Sequence, residues 1–85
     1  MKITVRKSAV KDFNKINEPY KTKIQDEILK LKNFPKVNNI KKLVNFEPAY
    51  RLRVGDYRIL FDVEDDEIII GRILHRKDSY KWLYQ

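Results

Sequence analysis

Residues 50–61 form the stretch that decides the fold: Tyr50-Arg51-Leu52-Arg53-Val54-Gly55-Asp56-Tyr57-Arg58-Ile59-Leu60-Phe61. Polar and apolar residues alternate on both sides of Gly55-Asp56, a dipeptide typical of a two-residue turn between antiparallel strands. Such a turn sets Arg53 opposite Arg58 and Leu52 opposite Ile59. One face of the hairpin is then apolar, and the other face carries three arginines: Arg51, Arg53 and Arg58.

A second tight turn, at Asp65-Asp66, carries the alternation into a third strand over residues 67–75. With regular pairing, Ile68 and Ile70 join the apolar face. The arginine face gains four residues: Ile69, Gly71, Ile73 and His75. We therefore expect the single histidine at the end of the surface that carries the arginines.

The residues before the hairpin predict one strand and two helices. Residues 2–6 suit a short strand, and Ser8 is a candidate cap for a helix that ends near Asn17. A second helix begins at Pro19 and ends before Pro35. Residues 34–47, rich in asparagine and lysine, are predicted to form a loop anchored by Leu43, Val44 and Phe46, and residues 78–84 a short final helix or a frayed tail.

These elements predict an α+β fold of order β-α-α-β-β-β in a single domain over residues 1–85. The helical hairpin should pack on one face of a mostly antiparallel four-stranded sheet, with a possible short C-terminal helix. Leu60, Ile69 and Ile73 would form an apolar strip on the arginine face. Either a protein partner or the 34–47 loop could cover that strip.

Charge is distributed unevenly along the chain, which has a net charge of +7. Residues 1–45 hold 12 basic and 4 acidic residues, and all but one of the basic residues are lysines. Residues 46–85 hold 7 basic and 8 acidic residues, including five arginines. The net charge favours a polyanionic partner, with nucleic acid first, and the arginines are the better phosphate ligands.

Several classes are disfavoured by composition. The chain has no cysteine and one histidine, so a disulfide framework and a thiolate metal site are excluded, a zinc site is disfavoured and no cofactor is expected. No apolar run is long enough for a membrane span and no signal-peptide pattern is present, so no membrane partner is expected and the location is predicted to be cytoplasmic.

Arg53 opposite Arg58 is the most informative pair, because like charges directly across strands are unfavourable. The arginines could simply extend into water or pair with Asp62 or Glu47. An anion bound between them would also relieve the repulsion, and their convergence favours that interpretation.

The pattern R-x-R-x-G-x-Y-R over residues 51–58, followed by His75-Arg76-Lys77-Asp78-Ser79-Tyr80, resembles the RelE/ParE superfamily of toxin–antitoxin toxins. RelE-like members cleave messenger RNA in the ribosomal A site, whereas ParE-like members share the fold and inhibit DNA gyrase. The resemblance implies a catalytic set at six positions: Arg51, Arg53, Arg58, His75, Arg76 and Tyr80.

The resemblance to RelE implies the toxin component of a type II toxin–antitoxin system, a metal-independent and ribosome-dependent endoribonuclease that inhibits translation. The implied partners are a cognate acidic RelB-like antitoxin, the ribosome and messenger RNA. Arginines stabilise charge but do not readily release a proton, so we expect His75 or Tyr80 to transfer protons. The alternatives are a ParE-type gyrase inhibitor without nuclease activity and an inactive RNA-binding homologue.

Overall fold

The computed structural model describes residues 1–44 and 48–83, with side chains described as far as Ser79. A single 3-10 turn, Leu31–Asn33, follows the second helix. The elements are β1 (Lys2–Val5), α1 (Lys7–Asn14), α2 (Tyr20–Lys30), β2 (Ile40–Lys42), β3 (Tyr50–Val54), β4 (Tyr57–Glu64), β5 (Glu67–His75) and α3 (Arg76–Leu83). No helix in these ranges is long and apolar enough to cross a membrane.

The strands form one sheet in the order β1-β5-β4-β3-β2, in which β1 runs parallel to β5 and the other pairs are antiparallel. The α+β class and the helices on one face are confirmed. The prediction of four strands was wrong, because β2 lies inside the segment predicted to be a loop. With three residues, β2 is too short to show alternation, and it forms because Ile40 pairs with Leu52 beside the core.

The hairpin register is confirmed: Val54 lies opposite Tyr57 and Arg53 opposite Arg58. Gly55 adopts a φ of 58°, which glycine reaches without steric cost. The apolar face of the hairpin packs under α1 and α2, and burial of these side chains drives the fold. The core is built from Ala9, Ile16, Ile24, Leu31, Leu52, Val54, Ile59, Phe61, Ile68, Ile70 and Ile73.

A β-bulge at Gly71 interrupts the pairing of β4 with β5. Leu60 lies opposite Arg72, but Phe61 lies opposite Ile70, so Gly71 is an extra residue in β5. An extra residue exchanges the two faces of the strand beyond it. A Cβ at residue 71 would lie 3.3 Å from the Pro48 side chain, so glycine suits this close approach.

The bulge overturns the predicted placement of Ile73 and His75. Ile73 lies opposite Ile59 in the core, and His75 lies opposite Tyr57, so neither is on the arginine face. Leu74 takes the position opposite Arg58 instead. The prediction assumed regular alternation through Gly71, which the inserted residue breaks.

Helix α1 completes the edge of β5 where β1 ends. The Ser8 hydroxyl donates to the Gly71 carbonyl at 2.7 Å, and the Ile73 amide donates to the Asp12 carboxylate at 3.0 Å. Ser8 therefore does not cap α1, which begins at Lys7 and ends at Asn14 rather than near Asn17. Two side chains of α1 thus satisfy backbone groups of β5 that a neighbouring strand would otherwise bind.

Candidate functional site

Four arginines gather at one end of the sheet, and we call Arg51, Arg53, Arg58 and Arg76 the arginine cluster. Arg51 and Arg53 come from β3 and Arg58 from β4, with Arg53 and Arg58 directly paired. Arg76 begins α3, where its amide donates to the Asp56 carbonyl at 2.7 Å. That bond places the start of α3 beside the hairpin turn and so beside the strand arginines.

Arg58 shows the electrostatic character of the arginine cluster. Burial lowers its pKa below the ordinary value, and the charges of Arg53, Arg51 and Arg76 lower it further. Its Nη1 atom donates to the carbonyls of Gly55, at 2.8 Å, and Tyr57, at 3.0 Å, which orient the guanidinium without neutralising it. The Asp56 carboxylate, 3.9 Å from Arg76 Nε, offsets part of this charge, and the remaining positive charge is one that a further anion would stabilise.

Arg51 carries a donor that the fold leaves unsatisfied. Its Nε atom is buried and has no hydrogen-bond partner among the described residues. A buried unsatisfied donor costs about 1–3 kcal/mol, and more when the group is charged. The atom is inaccessible from outside, so an external ligand would not contact Nε itself.

The apolar part of the arginine face is covered in part by the chain itself. Leu60 is fully buried and Leu74 is 8% exposed, and α3 packs against both of their strands. The Ala49 amide donates to Oδ1 of Asp62 at 2.6 Å, so that carboxylate oxygen accepts a hydrogen bond from the backbone. Phe46, a predicted anchor of the 34–47 loop, and Glu47, a predicted partner of the arginines, lie outside the described residues.

His75 lies on the opposite side from the arginine cluster. Its ring packs edge-on against Tyr57, with centroids 5.5 Å apart, and its Nδ1 atom accepts the Lys77 amide at 3.3 Å. Residue 80 lies within α3, but its side chain is outside the described residues. The structure thus brings together four of the six predicted site residues and separates His75 from them.

An ion pair that sequence reasoning missed joins α1 to β5. Asp12 accepts from the Nε and Nη2 atoms of Arg72, at 2.7 and 3.0 Å, as well as from the Ile73 amide. This hydrogen bonding raises the pKa of Arg72, against the opposing effect of burial. Two features of the sequence could have indicated this contact. Asp12 is an acidic residue one turn after Ser8 on a lysine-rich helix, and Gly71 is an isolated glycine in a strand.

The described residues contain no cluster of three acidic or histidine side chains placed to hold a metal ion. The guanidinium groups of the arginine cluster are suited to binding an anion, since they match phosphate geometry.

Comparisons with known proteins identify the family to which the chain belongs. The family model described as "ParE toxin of type II toxin-antitoxin system, parDE" matches residues 3–80. Toxin RelE3 of Methanocaldococcus jannaschii is 36% identical over 86 residues, covering 96% of this chain and 98% of that protein. The putative toxin RelE1 of the same organism is 31% identical and covers 93% of each chain.

Solved structures show the same fold. In the RelB-RelE antitoxin-toxin complex from Methanococcus jannaschii, one chain is 34% identical with a TM-score of 0.77, over 93% of this chain and 96% of that one. The isolated Escherichia coli RelE toxin matches with a TM-score of 0.73 at 13% identity, over 96% of this chain and 97% of that one, a likeness of fold alone. The fold, the hairpin motif and these relatives together place the chain in the RelE/ParE superfamily, as a toxin of a type II toxin–antitoxin system.

Proposed function

We propose that this toxin is a metal-independent endoribonuclease that cleaves messenger RNA in the ribosomal A site and so inhibits translation. The observation that carries the proposal is the arginine cluster. Its positive charge is concentrated by partial burial, as the lowered pKa of Arg58 indicates. A phosphodiester supplies both the negative charge and the acceptor oxygens.

The reaction needs three contributions from the site. The 2′-hydroxyl of the nucleotide before the break loses its proton and attacks the phosphorus, the pentavalent phosphate carries extra negative charge, and the 5′-oxygen leaves with a proton. Arg53, Arg58 and Arg76, with Arg51 beside them, stabilise the charged phosphate. A guanidinium group does not readily release a proton, so these arginines are not proposed to transfer the protons.

His75 and Tyr80 are the proposed groups for proton transfer. His75 reaches the scissile nucleotide only around the end of β5, since its ring lies beside Tyr57. Separate variants divide the two roles: we expect Tyr80→Phe and His75→Phe, each of which keeps an aromatic ring but removes the transferring group, to lose cleavage while RNA binding remains. Loss of binding instead would assign that residue to RNA recognition.

The ribosome would supply the positioning that the toxin lacks. Lysines on α1 and α2 are exposed and suited to salt-sensitive contacts with ribosomal RNA, among them Lys11 and Lys23. We further propose a cognate acidic RelB-like antitoxin as partner, since the similar RelE chain is known in a RelB-RelE complex and this chain has a net charge of +7. Residues 1–85 would act as one toxin domain in the cytoplasm.

A ParE-type gyrase inhibitor is the second candidate. The position of His75 favours it, because the arginine face loses its expected proton-transfer group, and the matching family model is described as a ParE toxin. An inhibitor that only binds needs no such group.

Primer extension on translated messages in a purified translation system tests the first candidate. We expect cuts within codons at the A site when ribosomes are present and intact RNA when they are absent. Gyrase supercoiling assays run in parallel test the second. Intact messages together with blocked supercoiling would replace the nuclease proposal with the inhibitor.

A further inference from the structure

We infer that the cleft between α1 and the end of β5 is a binding site for one unpaired nucleobase of the RNA whose phosphates the arginine cluster holds. The inference deepens the proposed function, because it rests on RNA being the ligand. The cleft has a volume of about 330 Å³, which is within the range of small-molecule sites. Its aromatic walls are the rings of Tyr57 and His75.

Aromatic rings are arranged in a row along this end of the molecule. The Tyr20 ring lies 5.8 Å from that of Tyr57, which lies 5.5 Å from that of His75. Tyr20 is 49% exposed, so this row is not sealed within the core. Unpaired RNA bases are recognised by stacking on such rings, including histidine.

The charges of the cleft distinguish its ligand from that of the arginine cluster. Lys15 and Arg72 contribute two positive charges, and Asp12 and Asp78 contribute two negative charges. A balanced set does not attract a phosphate, but it offers donors and acceptors to a neutral polar ring. A nucleobase is such a ring, so the chemistry of the cleft fits a base and that of the arginine cluster fits a phosphate.

The cleft is held in shape before any ligand binds. The carboxylate of Asp12 is fixed by three hydrogen bonds from Arg72 and Ile73. His75 Nδ1 accepts the Lys77 amide, which leaves Nε2 as the ring nitrogen that can meet a base. A preorganised site loses less conformational freedom on binding.

The two sites are adjacent along β4 and at the junction of β5 with α3. Tyr57 precedes Arg58 within β4, where successive residues point to opposite faces, and His75, the last residue of β5, precedes Arg76, the first residue of α3. A single strand of RNA can therefore pass over this end of the sheet with a phosphate on one side and a base on the other. The bulge at Gly71 creates this arrangement, because it turns His75 toward Tyr57.

Abasic scanning tests the inference on the complete chain. Labelled single-stranded tetranucleotides, intact or with one base removed at each position in turn, are titrated with the toxin at low salt, and the Kd is read from fluorescence anisotropy. Stacking of one base contributes about 1–3 kcal/mol, which is about 5- to 150-fold in Kd. We expect a loss of that size at one position for the wild type.

The variants decide whether the cleft causes that loss. We call the increase in Kd on removal of that base the abasic penalty. His75→Ala should reduce the abasic penalty at least about fivefold, while His75→Phe, which keeps a ring, should retain it. Lys15→Ala, an exposed residue at the cleft, should reduce it in part, and the exposed Lys32→Ala should leave it unchanged. Thermal unfolding by circular dichroism confirms that each variant is folded.

An equal Kd for intact and abasic RNA at every position would overturn the inference. A full abasic penalty in folded His75→Ala, or the absence of any RNA binding at low salt, would also overturn it. Ribosomal cleavage is measured separately, so that the two proposals fail independently. If the abasic penalty depends on His75 but no A-site cleavage is observed, the nucleobase site is supported and the proposed nuclease activity is rejected.

Discussion

Arg58 and Arg72 lie on neighbouring strands of the same sheet but in opposite electrostatic surroundings. Arg58 is surrounded by Arg53, Arg51 and Arg76, and its pKa is lowered by burial and by their charges. Arg72 is paired with Asp12, and its pKa is raised by that hydrogen bonding. The comparison shows that the partner, rather than the residue type, decides whether an arginine is available to bind a phosphate.

The two surroundings also have opposite consequences for stability. Converging like charges in the arginine cluster oppose folding, whereas the Asp12–Arg72 pair joins α1 to β5 and supports it. Sites that bind or react often retain such unfavourable arrangements. Substitutions in the two regions should therefore separate activity from stability.

The largest effect is expected on activity when Arg58→Ala is combined with Arg76→Ala. Removing two groups that stabilise the charged phosphate should lower the rate of A-site cleavage by at least about 100-fold. The free energy of unfolding should change little, since the lost repulsion offsets the lost carbonyl bonds. Primer extension and urea denaturation measure the two quantities. Arg6→Ala, an exposed arginine outside the cluster, is the control, and undiminished cleavage by the double variant would refute the role of the cluster.

Asp12→Ala should produce the largest loss of stability, about 2 kcal/mol in the free energy of unfolding. The change removes the partner of Arg72 and the acceptor of the Ile73 amide. Asp12→Asn should lose less, because its side-chain oxygen can still accept the amide. Urea denaturation gives both values, with the exposed Asp26→Ala as control. Equal stability of Asp12→Ala and wild type would mean that the pair does not hold α1 to the sheet.

A smaller effect is expected from substitution of lysines on α1 and α2, which belong neither to the arginine cluster nor to the Asp12–Arg72 pair. The double change Lys11→Ala with Lys23→Ala should weaken ribosome binding only a few-fold at physiological salt. The slope of log K against log salt should fall by about 0.7–0.9 for each phosphate that the toxin no longer neutralises. Binding of labelled toxin to ribosomes across a salt series measures the slope. An unchanged slope would exclude these two lysines from the ribosome-binding surface.

Gly71→Ala should have the smallest effect, a destabilisation of about 1 kcal/mol or less. The added Cβ would lie 3.3 Å from the Pro48 side chain, which must move by a few tenths of an ångström. Urea denaturation gives the loss, and Gly55→Ala, strained by a φ of 58°, serves for comparison. A loss above about 3 kcal/mol would show that the bulge cannot adjust.

The hairpin and the arginine cluster could be predicted from sequence because their cause is local. A two-residue turn at Gly55-Asp56 fixes the register, so Arg53 opposite Arg58 follows from spacing alone. Helical periodicity located α1 and α2 for a similar reason, although their ends differ from the predicted ones by a few residues. Short-range patterns determine these elements.

The features that escaped prediction have causes distant in the sequence. β2 forms because β3 is present to pair with it, and the Gly71 bulge is fixed by Pro48 and by Ser8 of α1. Asp12 meets Arg72 across 60 residues of chain. His75 was misplaced because a single inserted residue reverses every later side chain, and regular alternation gives no sign of it.

The parallel pairing of β1 with β5 has a consequence for synthesis. Thr4 donates to the Glu67 carboxylate, a bond between residues 63 apart. β1, the first strand to be synthesised, therefore cannot pair until β5 has been synthesised. Such long-range pairing closes late in folding. A protein proposed to attack messages during translation therefore completes its own sheet, and positions Arg76, only after the codons for β5 and the start of α3 have been decoded.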